Sequence, residues 1–225
     1  MTLDVVHVWL ARECVPDPVL TQLYALLDAD ERRRADAYLR PRDRRRYIVA
    51  HAAARSVVGA HLGVPAERIR WRIGSNGKPQ VVLPRNGIEV NLSHSGGLSA
   101  IALSPARPVG VDVQAISPTT DVAAMARRYY SPQETDFVLG PAASPAVRSL
   151  RFTRLWTRKE AMVKAAGSRL LRGMPVSVLD RGGVVEFDDR PHRIADIPAP
   201  AGSRAAVALR GEQPFHVVEH WWSNP

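Results

Sequence analysis

Cysteine is nearly absent from this sequence: Cys14 stands alone, so no intrachain disulfide can form. That suits a reducing compartment and points to a cytoplasmic protein. Long apolar runs are missing as well, so no stretch of the 225 residues reads as a bilayer span and no membrane partner is expected. Residues 1–20 scatter Asp4, Arg12, Glu13 and Asp17 among apolar residues and lack the charged-then-apolar order of a secretory signal. Aromatic residues make up only 6% of the chain, and neither zinc-finger spacing nor an aromatic RNA-binding signature occurs, which weakens nucleic-acid recognition. There is no Gly-x-x-x-x-Gly-Lys loop to cradle a nucleotide and no Gly-x-Ser-x-Gly elbow to present a nucleophilic serine.

What is present is an ordinary core-forming share of 45% hydrophobic residues and a strongly local positive charge. The formal net charge is +9, and residues 32–55 alone carry nine arginines against Asp36 and Asp43, a local +7. A concentrated basic surface favours nucleic acid, phosphorylated cofactors or an acidic protein, while a solvated arginine-rich helix is the plain alternative.

Pattern along the chain alternates strands and helices. Residues 5–10 read as a strand, 20–27 as a helix, and Asp30-Glu31 as the opening of another turn. Pro41 reads as the first position of a long helix whose inner face carries Ile48, Val49, Ala52, Ser56, Val57 and Ala60, with Gly63 as its stop. Strands follow at 69–73, 81–83, 88–92 and 98–104, with a turn-rich loop over 74–79. Pro105-Ala106-Arg107-Pro108 reads as a junction, giving an N-terminal half over 1–107 and a C-terminal half over 108–225. The second half reads as a strand at 109–113, helices near 122–128, 132–139 and 148–168, then strands near 176–179, 184–187, 204–209 and 216–221. The expected class is α+β, with antiparallel sheets in two similarly built, pseudo-duplicated halves.

Three short segments carry chemistry. In the strand Pro108-Val109-Gly110-Val111-Asp112-Val113-Gln114, side chains alternate, so Asp112 and Gln114 share a face and could hold a hard cation such as Mg²⁺. An Asp at a strand end also commonly opens a turn. In Trp156-Thr157-Arg158-Lys159-Glu160-Ala161-Met162-Val163-Lys164, Trp156, Glu160 and Lys164 fall on one helical stripe, which by itself is also an ordinary Glu–Lys surface pair. In Asn91-Leu92-Ser93-His94-Ser95, adjacent strand residues face opposite ways, so Ser93 and His94 do not make a nucleophile–base pair. His94 fits a phosphate-binding or hydrogen-bonding role at a strand end, with a satisfied structural histidine as the plain alternative.

Taken in order, Gly77-Lys78-Pro79, Asn91-x-Ser93-His94-Ser95, Gly110-Val111-Asp112-Val113 and Trp156-x-x-Lys159-Glu160-Ala161-x-x-Lys164-x-x-Gly167 resemble the Sfp-type 4′-phosphopantetheinyl transferases. With the arginine-rich first helices, the resemblance covers nearly the whole chain. It implies two α+β halves with the active site between them, the first serving the nucleotide and 3′-phosphate of coenzyme A and the second serving Mg²⁺ and catalysis. It implies transfer of phosphopantetheine from coenzyme A to a serine of an apo acyl or peptidyl carrier protein, with 3′,5′-ADP leaving. Asp112 and Glu160 would bind Mg²⁺, with Gln114 joining directly or through water. Lys164 would neutralise the pyrophosphate with Lys159 beside it, and Glu160 would take the serine proton. Arg46 would reach the 3′-phosphate with Ser93 and His94 nearby, and Gly77, Lys78 and Pro79 would line the adenine side.

Gln114 departs from the family pattern, where many relatives carry Glu. Two carboxylates remain, and Mg²⁺ often makes do with one or two plus phosphates and waters. Glu134, in Ser131-Pro132-Gln133-Glu134, reads as the far end of a helix capping box and stays off the metal set. A carrier protein, an acidic helical domain, would dock near Arg127, Arg128, Tyr129 and Tyr130, where the plain alternative is an exposed helix end. A monomer is expected, because the two halves would enclose the site within one chain. The competing readings are a basic nucleic-acid-binding domain built on residues 32–55 and a Mg²⁺-dependent nucleotide hydrolase.

Overall fold

The computed structural model describes residues 4–74, 79–83, 87–179 and 183–224. The chain divides into two compact units, Val5–Ala106 with His216–Pro225, and Arg107–Phe215 with Met1–Asp4. Each is α+β.

The first unit runs β1 (Asp4–Arg12), α1 (Asp17–Leu26), α2 (Ala29–Asp36), α3 (Pro41–Leu62), a 3-10 turn (Ala66–Arg68), β2 (Arg70–Ile73), β3 (Pro79–Leu83), β4 (Glu89–Ser95) and β5 (Leu98–Ser104). The second runs β6 (Val109–Ala115), α4 (Val122–Tyr129), α5 (Pro132–Leu139), α6 (Pro145–Ala166), α7 (Leu170–Gly173), β7 (Val184–Phe187), β8 (Arg190–Ile197) and β9 (Ser203–Arg210). The chain then returns as β10 (Phe215–Trp222), which lies in the sheet of the first unit, ordered β10-β1-β5-β4. The second unit's sheet is ordered β6-β9-β8-β7, and its paired strands are antiparallel throughout.

The two units are alike in their principal helix. Both α3 and α6 have 22 residues, begin with proline, and end on a left-handed glycine, Gly63 at φ 66° and Gly167 at φ 67°. Proline costs nothing at a first turn whose N–H groups have no helical partner, and glycine adopts positive φ without strain. Capping boxes open α2 (Asp28 with Glu31) and α5 (Ser131 with Glu134).

Helix α3 is buried more widely than its one expected face. Its first half packs Ile48, Val49 and Ala52 with Leu20, Leu23 and Leu27 around α1, and its second half packs Ala53, Val57 and Val58 with Val90, Ile101 and Leu103 of the sheet. A helix with partners on two sides is apolar nearly all round. Ala60, expected on the inner face, is exposed.

Two expectations for the second unit are corrected. Residues 176–179 form no strand. Their backbone groups are taken by side chains instead: Val178 N–H donates to Glu134 Oε1 (2.9 Å), Arg158 donates to the Val178 carbonyl (2.9 Å), and Lys159 donates to the Val176 carbonyl. Conversely, β8 was not expected, because Arg190-Pro191-His192-Arg193 lacks strand character. It pairs with β9 from His192↔Arg210 to Ile197↔Ala205 and with β7 across a two-residue Asp188-Asp189 turn at φ 51° and 56°. Positive φ at both central residues gives the turn the twist that a hairpin needs.

Candidate active site

Helix α6 lies directly on β6 because Gly110 has no side chain. A Cβ at that position would stand 2.0 Å from the Ala161 carbonyl oxygen and 2.4 Å from the Ala165 nitrogen. The neighbouring strand is equally low there: Gly110 faces Ala208 and Asp112 faces Ala206 in register. Successive residues alternate, so Gly110, Asp112 and Gln114 share the face turned to α6. Val109, Val111 and Val113 on the other face are fully buried.

The close approach puts Asp112 against the Glu160–Lys164 stripe. Lys164 Nζ donates to Asp112 Oδ1 at 2.7 Å and to the Val111 carbonyl at 3.3 Å. Asp112 is 4% exposed. Burial pushes the Glu160 carboxyl above the ordinary carboxylate range; Lys164 pulls it back and the negative charge of Asp112 raises it further. The two carboxylates are therefore close enough to feel each other. A cavity of about 280 Å³ opens beside Glu160, lined by Gln114, Ser117, Thr120, Met125, Trp156 and Glu160 among others. Trp156 is held from behind by Phe152 (ring centroids 5.7 Å) and edge-on by Tyr129 (6.5 Å).

Lys159 is not in this group. One residue along an α-helix is a rotation of about 100°, which turns Lys159 away from the Glu160 face and toward α5. It is 0% exposed, and its Nζ donates to Glu134 Oε2 at 2.8 Å and to the Val176 carbonyl, with the Tyr130 ring 5.1 Å away. Burial pushes this ammonium's pKa down, opposed by the hydrogen bond and charge of Glu134. A structural ion pair thus occupies the side chain expected beside the pyrophosphate. Glu134, also 0% exposed, does more than cap: it closes the box with Ser131 and holds both Lys159 and the Val178 N–H.

In the first unit, Gly77 and Lys78 lie outside the described residues, and the backbone of Pro79 opens β3 opposite Ile73. Ser93 is buried and His94 exposed, on opposite faces of β4 as alternation requires. His94 pairs in register with Ser99, whose hydroxyl donates to Glu13 Oε1 at 2.8 Å. Glu13 Oε2 in turn faces Arg46 Nε at 3.4 Å, and Arg46 NH1 lies 3.6 Å from Asp43. Arg46 is thereby linked through Glu13 to Ser99, the register partner of His94; Glu13 and Ser99 are two residues that sequence reasoning missed. No local spacing signals them, since Glu13 and Ser99 meet only through the β1–β5 pairing.

The basic cluster is less open than its charge suggests. Arg33 pairs with Asp30, Arg44 with Asp36, Arg45 with Asp17, and the fully buried Arg55 with Asp28 and Glu31. Among the described residues, no helix is long and apolar enough to cross a membrane.

Comparison with known proteins agrees with both halves of this arrangement. A model of the 4′-phosphopantetheinyl transferase superfamily matches residues 108–217, which contain β6 and α6. A model of the 4′-phosphopantetheinyl transferase N-terminal region matches residues 16–106. The 4′-phosphopantetheinyl transferase HetI of Nostoc sp. (strain PCC 7120) is 32% identical over 171 residues, covering 75% of this chain and 71% of that protein. The enzyme psf-1 of Bacillus pumilus is 31% identical over 156 residues (69% and 64%), and the 4′-phosphopantetheinyl transferase of Bacillus subtilis is 28% identical over 174 residues (75% and 74%). With both halves matched and Asp112, Glu160 and Lys164 assembled on one face, the chain belongs to the 4′-phosphopantetheinyl transferases.

Proposed function

We propose that this enzyme transfers the 4′-phosphopantetheine of coenzyme A to a serine of an apo acyl or peptidyl carrier protein and releases 3′,5′-ADP. The observation that carries the reading is the joining of Asp112 on β6 to Lys164 on α6, with Glu160 one helical turn before Lys164.

The donor set suits a divalent cation. Asp112 and Glu160 are hard oxygen ligands whose charges oppose each other, and Mg²⁺ accepts one or two carboxylates, completing its shell with phosphates and waters. Gln114, on the same strand face, adds a neutral oxygen directly or through a water. When bound, Mg²⁺ supplies positive charge where negative charge grows on the pyrophosphate.

The remaining work falls to side chains of the chain itself. The serine Oγ attacks the β-phosphorus, the bond from that phosphorus to the 3′,5′-ADP oxygen breaks, and 3′,5′-ADP leaves with the bonding electrons. Lys164, already oriented by Asp112, holds the pyrophosphate and stabilises that charge at a site where it is partly shielded from water. Glu160, its basicity raised by burial, takes the serine proton directly or through a water. The neighbouring cavity alternates hydroxyl and amide groups with Met125, Phe152 and Trp156. That lining matches a pantetheine arm, whose amides are separated by short methylene runs. Arg46 and His94 serve the 3′-phosphate, and Gly77, Lys78 and Pro79 the adenine side.

The test is incubation of purified protein with coenzyme A, Mg²⁺ and a panel of apo-carriers, read by intact mass. A gain of one phosphopantetheine on the carrier is expected, lost in EDTA and lost when the carrier serine is alanine. Full transfer in metal-free buffer would overturn the Mg²⁺ assignment, and no transfer to any carrier would overturn the acceptor.

A further inference from the structure

The Arg46 guanidinium does not stand alone: the buried carboxylate of Glu13, just past the end of β1, lies 3.4 Å from its Nε. Glu13 follows β1 in the connection to α1 and is only 5% exposed, whereas the Arg46 side chain is 22% exposed. Three contacts hold Glu13 in place. Its backbone N–H donates to the Gly97 carbonyl at 3.0 Å, its Oε1 accepts from the fully buried Ser99 hydroxyl at 2.8 Å, and its Oε2 faces Arg46 Nε at 3.4 Å. Burial pushes the Glu13 carboxyl up, while Ser99, Arg46 and Arg42 pull it back toward the ionised form.

We propose that Glu13 is a positioning residue that fixes Arg46 for the 3′-phosphate of coenzyme A, so that the enzyme's preference for the 3′-phosphorylated donor depends on a carboxylate that never touches the donor. This rests on the assignment of Arg46 to that phosphate. Arginine is a long side chain with much rotamer freedom and five N–H donors in a flat fork. Glu13 engages the Nε edge, and Asp43 lies near NH1 at 3.6 Å, which leaves the rest of the fork for an incoming anion. A carboxylate this close would repel a phosphate if it were exposed. Here it is buried, accepts from Ser99 on Oε1 and pairs with Arg46 through Oε2, so little of it is open to an anion arriving from solvent. His94 shares the strand face of Ser99, which places a second phosphate-binding group beside the same anchor. Ordering one such side chain in advance removes that cost from binding.

The experiment compares Glu13→Gln, Glu13→Asp, Ser99→Ala and Arg46→Ala, each assayed with coenzyme A and with coenzyme A lacking the 3′-phosphate. Wild type is expected to prefer coenzyme A through KM, and Arg46→Ala to lose that preference. Glu13→Gln is expected to raise KM for coenzyme A roughly three- to tenfold, with kcat at saturation unchanged and KM for the dephosphorylated donor unchanged. Glu13→Asp should recover part of the loss, and Ser99→Ala should reproduce it more weakly if Glu13→Gln proves too unstable to assay. A Glu13→Gln enzyme that keeps the wild-type preference while Arg46→Ala loses it overturns the proposal and leaves Arg46 in place. Equal loss with both donors, accompanied by a lower Tm, assigns Glu13 to stability alone and also overturns it. An Arg46→Ala enzyme that keeps the preference removes the phosphate assignment itself.

Discussion

Lys164 Nζ stands 2.7 Å from Asp112 Oδ1, a pair between helix α6 and strand β6 that exists only because Gly110 lets the helix touch the strand. The atoms that a Cβ at Gly110 would strike are backbone, so no rotamer change can relieve the clash. Gly110→Ala should therefore lift α6 from β6, costing about 1–3 kcal/mol or more. It should also lower single-turnover transfer beyond what the lost folded fraction explains. Circular dichroism melts together with transfer at low temperature separate the two effects. Wild-type turnover in Gly110→Ala would mean that the Asp112–Lys164 distance is not critical.

Glu160 offers a test of opposite sign. Its folded-state pKa is raised, so the ionised form is disfavoured in the folded protein relative to the unfolded chain. The contribution is present below the unfolded pKa and is lost as pH rises through the folded one. Once pH has risen through that raised pKa the ionised group is a burden, and Glu160→Gln should raise Tm in metal-free buffer while abolishing transfer. Adding Mg²⁺ with coenzyme A should raise the Tm of wild type and raise that of the variant by less. A variant that melts lower than wild type in EDTA would show that Glu160 is stabilising where it sits. The same shift applies to the enzyme before metal binds: affinity for Mg²⁺ should weaken on the acid side as Glu160 protonates, at a higher pH than for an ordinary carboxylate.

Lys159 and Glu134 are both wholly buried, so removing either partner strands a charge. Lys159→Met should cost about 3–5 kcal/mol, and adding Glu134→Gln should return part of it. KM for coenzyme A should stay at the wild-type value in whatever fraction folds. A selective rise in that KM at unchanged stability would restore Lys159 to the cofactor site. Denaturant melts on the single and double variants measure the coupling.

Much of this was legible in the chain. Ser131-Pro132 and Glu134 announced the start of α5, Pro41 and Gly63 bracketed α3, and the alternation around Asp112 put it on the face it occupies. What escaped prediction depends on tertiary partners. Strand β8 contains Pro191 and two arginines and is a strand because β7 and β9 pair with it. Residues 176–179 look strand-like but give their backbone to Glu134, Arg158 and Lys159. The helical wheel separates Lys159 from Glu160 by one step, yet only the position of α5 decides that Lys159 is covered. Glu13 and Ser99 are 86 residues apart and meet through strand register alone.

The proposed carrier-docking surface is narrowed by the same structure. Of the four residues suggested at the end of α4, Tyr130 is 7% exposed and donates its hydroxyl to the Phe152 carbonyl at 2.9 Å, so it belongs to the core. Arg127 and Arg128 are exposed, and the Arg128 guanidinium lies 5.2 Å from the Tyr129 ring. Stacking of this kind holds an arginine extended without consuming its charge. Val122 and Met125 on the same helix line the cavity beside Glu160, so an acidic carrier bound to this face would bring its serine to that cavity. Arg127→Glu with Arg128→Glu should raise KM for the carrier on the order of tenfold and leave KM for coenzyme A unchanged. Added salt should raise the carrier KM of wild type by screening and affect the double variant less. If the double variant instead shifts the coenzyme A term, or if the salt dependence survives it intact, the carrier approaches from another face.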